Sequence, residues 1–208
     1  GVSIPWQVLK PLTGHKLFGS ELLLALGRCR EAEAAPIIFR EVATDSTAAR
    51  ALVLLHGASD AAAQAVEEVL SRADEEATEF LKKTTERGEP AEQRAATSCL
   101  LWTRQLSQLD TLVELSQKES LFQLLVDELR RWGFPVARKL EEMLGQVTGR
   151  KLASVIGLLT RLMDEESGRS KIKLFASYLE SDDMPVATAA ASALARFGNA
   201  DVVDRLMV

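Results

Sequence analysis

The sequence predicts an all-α fold of repeated helix pairs, and three observations carry that prediction. The phrase from Asp183 to Met207 has the makeup of two short helices joined by a turn, and weaker copies of it occur upstream. Ala and Leu dominate the 208 residues, whereas most of the 12 Gly and 6 Pro fall between segments of helical apolar periodicity or at their ends. No stretch approaches the ~20 apolar residues that span a bilayer, so the helices have to bury their apolar faces on one another. Short helices with one apolar face each are stable only when stacked.

Residues 1–18 carry Pro5, Pro11 and Gly14 and are expected as an extended lead-in, with Ile4, Trp6, Val8 and Leu9 lying against the first repeat. Residues 19–208 are expected as a single stack. Its first helices are expected at 20–29 and 34–43, where Leu26-Gly27-Arg28 closes one helix and Glu33 to Phe39 forms its partner. The next pair, 46–56 and 60–72, has the small residues Ala48, Ala49 and Ala51, then a turn at Gly57 to Asp60.

A helix at 75–86 ends at Gly88-Glu89-Pro90, which opens a fuller copy at 90–104 and 107–117. There Ala95, Ala96, Leu100, Leu109, Leu112 and Val113 fall at the offsets of Ala189, Ala190, Leu194, Val203, Leu206 and Met207. The two best copies lie about two repeats apart, for a repeat of ~40 to 47 residues. One degenerate unit is expected between them; the intervening helices read as 120–132, 135–146, 149–163 and 168–180, with breaks at Gly133-Phe134-Pro135, Gly149 and Gly168.

The last pair, 184–197 and 200–207, is the clearest. Asp183 is expected to cap it, Pro185 suits the first turn, and Ala189, Ala190 and Ala193 admit a close neighbour. Val186, Leu194 and Phe197 form the apolar stripe, Gly198 ends the helix, and Asn199 begins a partner carrying Val202, Val203 and Leu206.

The copies at Asp183 and Glu89 resemble the HEAT-repeat family of armadillo-like α-solenoids. The resemblance implies a right-handed α-α superhelix that binds proteins, or less often nucleic acid, and it carries no shared catalytic residues and no cofactor. We therefore expect a non-enzymatic scaffold that holds a protein or peptide segment on a concave surface. Two other readings stay open. One is a HEAT-like DNA-binding or repair glycosylase, for which Trp102 and Asp110 offer the residue types. The other is an accessory subunit of an enzyme, similar to the HEAT-type lyases that load a bilin onto a partner.

Charge guides the choice of partner. A net charge of −5 argues against nucleic acid over the whole surface. Residues 129–173 nevertheless hold ten basic and five acidic side chains, which suggests a basic stripe for an acidic protein segment. Arg130, Arg131, Arg138 and Lys139 are its expected core, with Trp132 at a helix end as an aromatic anchor. Trp102 and Arg104 are a second candidate pair, and Glu67, Glu68, Asp74, Glu75, Glu76 and Glu79 form a rival acidic surface.

Other chemistry finds little footing. His15 and His56 have no ligand-spaced neighbours, no His-Glu pair recurs in the repeats, and Gly145 to Lys151 lacks the ending of a phosphate loop. Cys29 and Cys99 read as small buried hydrophobes, which points to a reducing compartment, hence the cytoplasm. The chain starts Gly1-Val2 and stops inside a repeat at Met207-Val208, so we expect a longer polypeptide or an open stack end that pairs as a homodimer.

Overall fold

A computed structural model of the chain describes residues 4–14 and 19–198, and every regular element among them is helical. No helix among the described residues is long and apolar enough to cross a membrane. His15 and the expected last helix at 200–207, with Val202, Val203, Leu206 and Met207, lie outside the described residues. The chain packs as two compact units, Gly1–Gln105 and Leu106–Val208.

The first unit begins with α1 (Trp6–Leu9) and a 3₁₀ turn at Lys10–Gly14. The segment expected as extended is therefore helical from Trp6 to Gly14. Pro5 and Pro11 act as helix starters here, since a fixed φ and a missing N–H suit a first turn, and Leu9 is buried while Val8 is exposed. Then come α2 (Gly19–Gly27), a 3₁₀ turn at Ala32–Ala34, α3 (Ala35–Phe39), α4 (Ser46–His56), α5 (Asp60–Ser71), α6 (Glu75–Arg87) and α7 (Pro90–Trp102).

These helices form two layers. α2 lies beside α4 and α4 beside α7, while α3 and α5 pack together behind them and α6 lies against α7. Side-chain bonds tie the N-terminal ends of the first layer in a row. Ser20 Oγ donates to Asp45 Oδ2 at 3.0 Å, and Ser46 Oγ donates to Glu92 Oε1 at 2.9 Å. The small residues do the rest: a Cβ added at Gly27 would stand 2.9 Å from Ala51 Cα, so α2 and α4 touch backbone to backbone. Cys99 Sγ donates to Ala49 O at 3.7 Å between α4 and α7. Both cysteines are free and buried, as the apolar neighbours suggest.

The second unit holds a 3₁₀ turn at Leu106–Gln108, α8 (Leu109–Leu115), α9 (Glu119–Trp132), α10 (Phe134–Leu144), α11 (Gly149–Leu162), α12 (Glu165–Ser170), α13 (Ile172–Tyr178) and α14 (Met184–Phe197). Its centre is α11, which packs on α14, α10, α8 and α9. The helix expected at 168–180 is two helices, broken at Lys171, and it starts three residues early because Asp164 Oδ1 accepts from Ser167 N–H at 2.8 Å. Gly168 is buried beneath the ring of Phe197, at a spacing that excludes any side chain.

One cap differs from expectation. Asp183 occupies the N-cap of α14 but accepts no cap bond. Its Oδ2 lies toward Gly149, at whose position a Cβ would be 3.5 Å away, and its Oδ1 is buried with no hydrogen-bond partner among the described residues. Elsewhere Asp45, Ser59 and Asp74 cap α4, α5 and α6 through bonds of 2.8, 3.2 and 2.9 Å.

Candidate functional site: arginine-edged clefts

The residues expected to bind a partner divide into three groups. Trp102 is only 6% exposed. His56 stacks on it at 3.9 Å between ring centroids and 9° between planes. Glu67 joins the group with one oxygen 3.3 Å from His56 Nε2, while its other oxygen accepts from Arg104 at 2.7 Å. Arg104 reaches that position because it follows the end of α7 with φ +53, the left-handed turn that closes a helix. Trp102 and Arg104 thus lock the ends of α4 and α7 to α5, and Trp102 offers no face to a partner or a nucleobase. Asp110, its companion in the repair reading, is engaged by Lys151 at 2.6 Å.

The expected basic stripe is largely neutralised. Arg131 pairs with Glu128 at 2.9 Å, Arg138 and Lys139 both reach Glu142, at 3.6 and 3.0 Å, and Lys171 pairs with Glu141 at 3.0 Å. Lys151 bridges Asp110 and Glu114, whose carboxylates hold its ammonium above the ordinary lysine range. Surface pairs of this kind stabilise by little, but they cancel the field that would steer an anion.

Arg130 donates to the carbonyl of Arg161 at 3.1 Å, capping the C-terminal end of α11. Trp132 is half-buried, and Phe134 beyond it is 78% exposed. Arg130 and Phe134 line a cleft of about 280 Å³, but Glu141 and Asp164 line it too, so its charge is mixed.

A cleft of different character crosses α2, α4 and α7 in the first unit. Its volume is about 250 Å³, its apolar lining comes from Leu24, Val53, Leu54, Ala91 and Ala95, and its charged residues are Arg28, Arg50 and Arg94. No carboxylate is among the lining residues. All three arginines are exposed, and Leu54 is 41% exposed, an apolar side chain standing between cations.

Arg50 and Arg94 are each the fifth residue after an acidic N-cap, Asp45 or Glu89, so the parallel start of the two helices sets them side by side. The signal was present in the sequence. Arg50 sits inside Ala48-Ala49-Arg50-Ala51 and Arg94 precedes Ala95-Ala96, but the alanines are what mark these segments as repeats. A cation recurring at one register on a small-residue helix is the feature that points to a shared face.

Compared with family models, curated proteins and solved structures, the chain finds no match.

Proposed function

We propose that this chain is a non-enzymatic, HEAT-like α-solenoid scaffold, a right-handed superhelix of helix pairs, that holds an acidic protein segment in the α2–α4–α7 cleft of its first unit. The observation that carries the reading is the convergence of Arg28, Arg50 and Arg94 on an apolar cleft with no carboxylate in its lining. An occupant with Glu or Asp beside a Leu-like side chain would satisfy both parts, the guanidiniums by forked hydrogen bonds and the apolar lining by burial. The aligned starts of α2, α4 and α7 support the repeat reading, since translating one unit onto the next produces such a row.

Rigid presentation is the mechanism. Helix packing fixes the arginines before the partner arrives, so most of the ordering cost falls on the partner. Steering by the three cations speeds encounter and makes affinity fall with ionic strength.

Anisotropy titration of a fluorescent Glu-rich peptide carrying one Leu tests this. Arg50→Glu together with Arg94→Glu is expected to weaken binding by about tenfold or more, with helicity unchanged. Equal affinity for both proteins would remove the cleft from the account.

A further inference from the structure

We infer that the second unit carries its own site for an acidic protein segment, along the seam of α11 and α14. Two adjoining clefts of about 450 and 470 Å³ lie there, and Phe122 and Gly157 line both. The lack of a side chain at Gly157 leaves the passage between them open beside the Phe122 ring, from which an added Cβ would be 4.0 Å away. Arg150 lines the first cleft, Arg161 and Arg196 line the second, and no carboxylate is among the lining residues of either.

The three arginines are not equivalent. Arg196 donates to the carbonyls of Thr160 and Met163 at the end of α11, which makes it part of the frame. Arg150 and Arg161 are exposed, and neither guanidinium has an ion pair among the described residues. That separates them from Arg131, Arg138, Lys139 and Lys151 of the same stretch, which face Glu128, Glu142, Asp110 and Glu114. Both acids on α8, Asp110 and Glu114, are held by Lys151, so an incoming carboxylate meets two guanidiniums that have no ion pair among the described residues.

The spacing of those charges describes the occupant. Arg150 and Arg161 both lie on α11, and eleven steps of helix separate them by about 16 Å. Acidic residues about eleven positions apart in a helical partner, or about five apart in an extended one, would meet both. The ligand class is the one proposed for the first unit, and the inference rests on that reading.

Calorimetric titration of the intact chain with a second Glu-rich peptide carrying one Leu, its acids spaced about five positions apart for this seam, separates the two claims. The expected result is two peptides bound per chain. Arg150→Glu with Arg161→Glu is expected to leave one, with the remaining affinity changed by less than about twofold. Arg50→Glu with Arg94→Glu is expected to leave the other, and all four changes none. One peptide per chain, lost only in the Arg50/Arg94 variant, would overturn the second site and leave the first standing. One peptide lost only in the Arg150/Arg161 variant would uphold the seam and overturn the cleft. No binding by the parent chain would overturn both.

Discussion

Gly27 and Cys99 show how single residues set the architecture around the cleft. A Cβ at Gly27 would strike the backbone of Ala51, and backbone cannot step aside. Gly27→Ala is therefore expected to destabilise the chain by about 1–3 kcal/mol, the cost of overpacking, as read by urea denaturation. Gly145→Ala, where nothing lies within 4 Å, is the control and should cost little. A loss of the same size at both positions would show that the α2–α4 contact is not the cause.

Cys99 is fully buried, and burial raises its thiol above the ordinary range; Cys29 is raised too, chiefly by burial. A raised thiol pKa means less thiolate at a given pH, so both cysteines should resist a disulfide reagent at mildly alkaline pH and react only on unfolding. Rapid reaction of Cys99 in the native chain would contradict the packing of α4 against α7.

At the scale of the element, much of the helix layout was legible. The starts of α4, α5, α6 and α7 follow from Asp45, Ser59, Asp74 and Glu89-Pro90, because a cap residue before an apolar period defines an N-terminus without tertiary help. Asp183 looked the same in sequence, yet its carboxylate turns toward Gly149 in space, which no local rule reveals.

The two aspartates give opposite expectations. Asp74→Ala removes a 2.9 Å cap bond and should cost about 1 kcal/mol. Asp183→Ala removes a buried oxygen without a partner and should cost nothing or stabilise. Thermal unfolding of the two variants checks both, and an equal loss would mean that Asp183 caps α14 after all.

The candidate site was less legible, for a physical reason. Net charge over residues 129–173 pointed to a stripe, and the structure pairs Arg131, Arg138, Lys139, Lys151 and Lys171 of that stretch with acids. The i,i+3 and i,i+4 spacings of Glu128–Arg131 and Arg138–Glu142 already foretold neutralisation. Arg28 follows α2, Arg50 lies on α4 and Arg94 on α7, so only packing brings them to one cleft.

For the whole molecule, each unit has an arginine-edged cleft with no carboxylate among its lining residues. Such a surface should bind acidic segments more weakly as salt rises, since exposed charges are screened over about 8 Å at physiological ionic strength. A peptide affinity that ignores salt between low and physiological concentration would contradict the electrostatic part of the account.

The central claim is tested most directly by methyl chemical-shift mapping of the isotope-labelled chain on addition of the Glu-rich peptide. The account predicts that methyls of Leu24, Val53 and Leu54, which line the α2–α4–α7 cleft, shift in proportion to occupancy. Shifts confined to Leu129 and Leu162, beside the paired stripe, with those three unmoved, would contradict it.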